Sequence, residues 1–283
     1  MADDVIYDEQ GHARHFRVAR DPTGGAALAA AAASTPQEAA RNFLTAQASV
    51  LQVPQDAMRT LDVRSAIAPT AENQALRFES ETHLMDTAVV SYSQTMFGLP
   101  IYQAGISVTV RTPDNSVQAA SSTLHYDILA QPPGDSLAGL TGRVVNAAAV
   151  GGYDELGRRA IPAASAMRIN RTRLMVYPYD AATRTSSHPK EDTASGFHTE
   201  PPTLPLPPVP PSIVDGTYYV VVEMLFSLPI PDLGMLNWRA FVEPESGAVL
   251  FLRALVDGVT GLVRMDLRCT PWICAVLKTS SRP

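Results

Sequence analysis

Residues 89–128 read VVSYSQTMFGLPIYQAGISVTVRTPDNSVQAASSTLHYDI, and this stretch decides the fold of the N-terminal half of the chain. From Ile106 to Arg111 apolar residues alternate with polar ones, a pattern typical of a strand with one buried face and one solvated face. Turns at Phe97–Pro100 and Thr112–Asn115 separate three such runs, and Pro113 suits position i+1 of a type I turn. The stretch therefore predicts an antiparallel meander.

The clearest helical pattern of the chain precedes this meander. The tetrapeptide TPQE at 35–38 is a capping box, with Thr35 as the N-cap and Pro36 at the first helical position. Apolar residues then recur at helical spacing for about four turns, ending near Val53-Pro54. They are Ala40, Phe43, Leu44, Ala48 and Leu51. Because a helix laid across a sheet forms an α+β layer pair, we expect Phe43 and Leu44 to be buried against the meander.

The N-terminal residues predict a further pair of short strands. The pair spans Val5 to Ala19 and turns at Asp8–Gly11. His12 and His15 lie close together in it, but no third ligand accompanies them, so they are interpreted as surface residues rather than a metal site. Between the helix and the meander, the apolar residues of Leu61–Glu81 predict one or two more strands.

The helix and the meander together resemble the fungalysin/thermolysin-type propeptide (FTP) domain. In the hairpin the matching residues are Gln94, Gly98, Leu99, Pro100, Ile101 and Tyr102. In the helix they are Thr35, Pro36, Ala39, Ala40, Phe43 and Leu44. The resemblance covers about Val5 to Ile128 and implies an FTP-like domain at residues 1–130. Domains of that family pack on a zinc metalloprotease, assist its folding and block its cleft.

The C-terminal half predicts a second α+β unit. Two strands are expected at Arg168–Tyr179 and Gly216–Leu228, and a hairpin at Leu236–Val256 turns around Glu243–Gly247. This hairpin resembles the end of a PepSY module. The matching residues are Trp238, Glu243, Ser246, Gly247, Val249 and Leu250. The resemblance implies a PepSY-like domain at residues 131–267, opened by a short helix at Val144–Ala149. The predicted fold class is thus α+β, with two helix-on-antiparallel-sheet units.

A proline-rich connector at residues 186–212 interrupts this second unit. Its density of proline favours polyproline II and excludes a helix or a central strand. The segment LPLPPVPP at 204–211 is interpreted as a semi-rigid spacer, the alternative being a ligand for an SH3-like groove. Residues 268–283 are a tail that matches neither family. Cys269 and Cys274 in this tail would form a local disulfide in an oxidising compartment, whereas half of a zinc site is the less favoured interpretation.

Composition excludes several functional classes. A net charge of −6 disfavours a nucleic-acid partner, and no run approaches the about 20 apolar residues of a membrane span. The start at Met1 lacks the order of a signal peptide, and the alanine-rich segment Ala26–Ala33 is interpreted as a flexible spacer. The location is left open, extracellular by the resemblance or cytoplasmic from the sequence as written. No H-E-x-x-H, G-x-S-x-G, P-loop or Rossmann motif occurs, so we predict no catalytic residues, no metal and no cofactor.

The resulting hypothesis is a non-catalytic protein that binds a protein partner. By resemblance it is a chaperone or inhibitor of a thermolysin-like metalloprotease. The alternative is a structural or assembly module that contacts a scaffold protein or copies of itself as a homo-oligomer. The predicted partner-binding residues are Phe97, Leu99 and Tyr102, since large apolar groups around an exposed turn mark an interaction site. Otherwise Phe97 and Leu99 fold back and cap the end of the sheet.

Overall fold

The computed structural model of the chain describes residues 4–18, 33–133, 167–185, 204–230 and 234–255. These residues fall into two compact units. The first contains the described residues up to 133 together with Leu174–Pro178 and Gly216–Val221. The second contains the described parts of Gly142–Arg173, Tyr179–Asp215 and Val222–Pro283. The predicted domains, 1–130 and 131–267 with a tail at 268–283, stay a prediction.

The first unit is built on a β-sheet. Its strands are β1 (Asp4–Tyr7), β2 (Ala13–Arg17), β3 (Ala75–Leu84), β4 (Thr87–Met96), β5 (Leu99–Arg111) and β6 (Ser116–Ser122). Hydrogen-bonded neighbours follow the order β1-β2-β6-β5-β4-β3, and each of these pairs is antiparallel. The predicted meander and the predicted N-terminal strand pair are both confirmed. Ile106, Val108 and Val110 of β5 are buried, as the alternation predicts.

Strand β5 is irregular in its first half. Gln103 has a positive φ of 56°, and the pairing of β5 with β4 shifts register between Ser93 and Thr95. Ile101 pairs instead with Val176 of strand β7 (Arg168–Pro178), and this pairing is parallel. The sheet of the first unit is therefore mixed.

The predicted helix, α1 (Pro36–Ala46), covers one face of this sheet. Thr35 Oγ1 accepts the Glu38 N–H at 3.2 Å, and the Glu38 carboxylate accepts the Ser34 N–H at 2.7 Å. The side chains of Phe43 and Leu44 are buried, as expected. Helix α1 is shorter than its apolar pattern indicates. Turns follow Ala46, and Gln52 adopts a φ of 54°, yet the remaining apolar positions of the pattern stay buried.

Tyr92 on β4 lies at the centre of the contact between helix and sheet. Its side chain is 1% exposed, and its hydroxyl donates to the Gln37 carbonyl oxygen of α1 at 3.4 Å. Burial raises the pKa of the Tyr92 phenol, with the charge of Asp62 acting in the same direction. The phenol is therefore a permanently neutral donor in this core.

The described part of the second unit consists of strands, turns and one short 3-10 helix (Ala181–Thr183). Its strands are β7 as far as Arg173, β8 (Tyr218–Ile230) from Val222 onward, β9 (Gly234–Val242) and β10 (Val249–Ala254). Strand β9 pairs antiparallel with both β8 and β10. The turn between β9 and β10 is the predicted one, because the Glu243 carboxylate accepts the Ser246 N–H at 2.6 Å and Gly247 has a φ of 70°. This hairpin is confirmed.

The prediction of two helix-on-antiparallel-sheet units is wrong. The chain is mostly β, and its strands form a mixed sheet rather than two separate antiparallel ones. Within the described residues of the second unit there is no α-helix, and β7 and β8 each contribute residues to both units. The physical reason is that the second half of the sequence itself predicts only strands, and its helix was implied by the resemblance alone. That helix, Val144–Ala149, lies outside the described residues.

The structure describes the connector from Leu204 onward. Between Leu204 and Pro210 the connector forms neither a helix nor a strand. The Arg184 guanidinium donates to the Pro207 carbonyl oxygen at 2.7 Å and to the Val249 carbonyl oxygen at 2.8 Å. These bonds tie this part of the connector to the second unit. The rest of the connector, the cysteines Cys269 and Cys274 and the tail lie outside the described residues.

Candidate interaction surfaces

The predicted partner-binding residues surround the β4–β5 turn. Met96 pairs with Leu99, so Phe97 and Gly98 form a two-residue loop. Their φ values of 56° and 72° are those of a type I′ turn. The Phe97 carbonyl oxygen accepts the Thr70 N–H at 2.8 Å, and the Gly98 carbonyl oxygen accepts the Ala66 N–H at 2.8 Å. The segment that precedes β3 therefore holds this turn in place.

Phe97, Leu99 and Tyr102 do not form one exposed cluster. Leu99 is 0% exposed, which agrees with the alternative in which its side chain folds back at the end of the sheet. Phe97 and Tyr102 are half-buried, and the Tyr102 ring contacts the Tyr177 ring edge-on at 5.8 Å. The role of these three residues in partner binding stays a prediction, and only Phe97 and Tyr102 retain surface through which to act.

The open edge of β3 is a surface that the sequence reasoning missed. Near its start this strand is covered, because Phe78 N–H donates to the Val63 carbonyl oxygen at 3.0 Å and Thr60 Oγ1 donates to the Leu76 carbonyl oxygen at 2.9 Å. Beyond Phe78, and within the described part of the chain, β3 pairs only with β4. Side chains from Glu79 to Met85 are mostly exposed.

The geometry of the β3–β4 hairpin determines which backbone groups face outward. Leu84 pairs with Thr87 across the two-residue loop Met85-Asp86, and such a loop closes on a hydrogen-bonded pair. Bonded and non-bonded pairs alternate along antiparallel strands. The N–H and C=O groups of Glu81 and His83 therefore point away from β4. At the tip of the hairpin, Leu84 is 67% exposed and Met85 is 95% exposed.

An open edge strand is also found in proteins that bind nothing there. Native proteins protect such edges from aggregation with charged side chains and irregular pairing. Strand β3 carries Glu79 and Glu81, a register shift between Phe78 and Ser80, and a hydrogen bond between His83 Nε2 and Glu81 Oε1 at 2.7 Å. These features restrict which chains can pair with the edge, but its outward N–H and C=O groups stay accessible.

A second polar surface lies on the sheet of the second unit. The Glu223 carboxylate is 2% exposed and accepts a hydrogen bond from Arg173 Nε. Arg239 Nε lies 3.1 Å from the other Glu223 oxygen, in an ion pair without good hydrogen-bond geometry. The side chains of Arg173 and Arg239 are 39% and 32% exposed. Arg253 of β10 is the direct cross-strand partner of Arg239. We call these four residues the arginine cluster.

Hydrogen-bonded polar side chains extend this surface. Asn170 Nδ2 donates to Ser227 Oγ at 2.7 Å, and Ser227 Oγ donates to Asn237 Oδ1 at 2.7 Å. Ser227 and Asn237 are cross-strand partners on β8 and β9, on the same face as Glu223 and Arg239 because each lies an even number of residues away. No pattern in the sequence points to this surface, because its charged and polar residues are scattered singly over four strands.

The described residues contain no group of three or more His, Cys, Asp and Glu side chains that could hold a metal ion. None of the helices in the described part of the chain is both long enough and apolar enough to cross a membrane. His12, one of the two neighbouring N-terminal histidines, stacks on the Tyr126 ring at 3.8 Å and pairs with Asp8.

Comparison with known proteins assigns no family. No family model matches the chain, and no curated protein does. A similar solved structure is the Bacillus megaterium YpeB C-terminal domain, at 11% identity and a TM-score of 0.30. The match covers 64% of this chain and 56% of that structure, so the chain spans little more than half its length. A likeness at this TM-score assigns neither fold nor function, and the FTP and PepSY resemblances remain predictions.

Proposed function

We propose that this chain is a non-catalytic module that binds an extended segment of a partner protein along the open edge of β3. The observation that carries the proposal is the outward direction of the N–H and C=O groups of Glu81 and His83. An extended peptide added at such an edge gains main-chain hydrogen bonds, and its alternate side chains contact the strand's neighbours. The exposed Leu84 and Met85 supply apolar contacts at one end of that edge.

The partner class we propose is a thermolysin-like metalloprotease, with this chain as its chaperone or inhibitor. The resemblance of α1 and of the β4–β5 hairpin to FTP domains supports this choice. Gln94, one of the matched residues, is fully buried and bonds both the N–H and the C=O of His125 at 2.8 Å. The motif at Gln94 therefore acts by holding the chain beyond β6 against β4, and binding is left to exposed parts of the unit.

Inhibition of a thermolysin-type metalloprotease by the purified chain tests the proposal. His83→Pro removes one outward N–H group, and proline is tolerated at the open side of an edge strand. We expect His83→Pro to weaken inhibition at least tenfold, or about 1.4 kcal/mol. The matched control is His83→Ala, which keeps the N–H group and removes the same imidazole. Equal inhibition by the two variants, with both folded by circular dichroism, would exclude edge pairing.

Self-assembly through the same edge is the second candidate function. The exposure of Met85 and Leu84, 95% and 67%, at the end of an open strand favours it, because two copies could pair their β3 edges. Sedimentation of the chain at increasing concentration separates the two candidates. A defined oligomer that His83→Pro disrupts, together with no effect on metalloproteases, would replace the inhibitor by the assembly module.

A further inference from the structure

We propose that the arginine cluster of the second unit, Arg173, Glu223, Arg239 and Arg253, is a binding site for an oxyanion, a carboxylate or a phosphate group. The site lies in a different unit from the β3 edge and does not depend on the function proposed for that edge. The cluster contains three guanidinium groups and one carboxylate. Its charges do not balance, and the excess is positive.

The buried Glu223 carboxylate offsets only part of the positive charge of the cluster. Glu223 is held by Arg173 and by Arg239, so its negative charge is already offset. Nε of Arg253 is buried and has no hydrogen-bond partner among the described residues, and Nε of Arg239 has only the poorly aligned Glu223 oxygen at 3.1 Å. A buried donor without a partner is destabilising, so we infer that the Arg253 guanidinium is satisfied by an acceptor that the described residues do not supply.

The cross-strand position of the two arginines strengthens this inference. Arg239 and Arg253 are direct partners on β9 and β10, and like charges directly opposite each other on a sheet repel. Among the described residues Arg253 has no carboxylate partner; its guanidinium lies 5.0 Å from the centre of the Phe251 ring. An anion placed between the two arginines would turn this repulsion into attraction.

The chemistry of the site indicates an oxyanion rather than any anion. A guanidinium presents its N–H donors as a planar fork, which matches the spacing of carboxylate and phosphate oxygens. Asn237 lies two residues from Arg239 on the same face, and its carbonyl oxygen accepts from Ser227, which leaves its amide nitrogen as a further donor. Arg173 and Arg239 are partly exposed, so a ligand can reach the cluster.

Titration calorimetry of the full chain tests the site with two probes, inorganic phosphate and a short acidic peptide, each in chloride buffer. We expect at least one probe to bind, and Arg253→Gln to weaken that binding at least tenfold. Arg253→Gln leaves the Arg173–Glu223–Arg239 contacts in place. The matched control is Arg171→Gln, because Arg171 is exposed on β7 outside the cluster and its loss changes the net charge equally. The control variant should bind as the unmodified chain does.

The outcomes are distinguishable. Tighter binding of the peptide identifies a carboxylate as the ligand group, and tighter binding of phosphate identifies a phosphate group. Equal weakening by Arg253→Gln and Arg171→Gln would reduce the effect to general charge and overturn the proposal. The absence of binding by both probes at millimolar concentration, with the chain folded, would overturn it as well.

Discussion

Gly105 lies where β5 passes close to the backbone of β4. A Cβ atom at this position would stand 2.3 Å from the Tyr92 carbonyl oxygen, which is a backbone atom and cannot move aside without shifting the strand. We expect Gly105→Ala to lower the free energy of unfolding by about 1–3 kcal/mol, as overpacking does in cores. Urea denaturation measures the loss. Ser107→Ala, two residues along the same strand, is the control, and a similar small change for both variants would contradict the close approach.

His125 gives the first unit a dependence on pH. Burial lowers the pKa of its imidazole below 6.5, and the nearby charge of Arg14 lowers it further; the Tyr218 hydroxyl lies 3.1 Å from Nδ1. Because the unfolded chain then binds the proton more readily, the unit is most stable above the unfolded pKa and loses stability as the pH falls through it. We expect His125→Gln to reduce the loss of melting temperature between about pH 7.5 and pH 5.

The carboxylates with shifted pKa values titrate outside the pH range of this experiment. Protonation of the Asp8 and Glu38 carboxylates, whose pKa values are lowered, acts only at lower pH, below their ordinary values of 3.8 and 4.5. A melting temperature that falls equally in the unmodified chain and in His125→Gln over the histidine range would contradict the assignment to His125.

At the level of elements, helix α1 is held by its apolar face. Phe43 and Leu44 are 2% and 0% exposed, and the Phe43 ring meets the Phe16 ring edge-on at 6.0 Å. Truncating either residue to Ala should lower the free energy of unfolding by about 2–5 kcal/mol. The measurement is again urea denaturation, with Thr45→Ala on the exposed side of the same helix as the control. Losses below about 1 kcal/mol would contradict the packing of α1 on the sheet.

Elements set by local pattern could be predicted from the sequence. The alternation in β5 and the capping box at Thr35 depend on residues a few positions apart, and both predictions are confirmed. The parallel pairing of Ile101 with Val176 and the open edge of β3 could not be predicted. Each of these depends on which distant strand lies alongside, and hydrophobic periodicity carries no information about neighbours.

For the molecule as a whole, the division into two units could be predicted from the sequence only in part. The composition shift near residue 131 predicts a boundary, yet Leu174–Pro178 and Gly216–Val221 belong to the first unit. Strands β7 and β8 contribute to both units because a long strand can pair with different neighbours along its length.

The arginine cluster could not be predicted from the sequence. Glu223 and Arg239 would be interpreted from sequence as solvated strand residues. Only the pairing of β8, β9 and β10 brings the charges together.

The central claim for the whole molecule is that a partner segment pairs with the β3 edge. Amide hydrogen exchange of Glu81 and His83, measured by NMR with and without a catalytically inactive thermolysin-type metalloprotease, tests it most directly. Thr82 and Leu84 are the internal controls, because their amides already bond to β4 in the free chain. The claim predicts that exchange at Glu81 and His83 slows at least tenfold in the complex, with little change at the controls. A saturated complex in which Glu81 and His83 exchange as fast as in the free chain would contradict edge pairing. The absence of any complex would contradict the metalloprotease as partner.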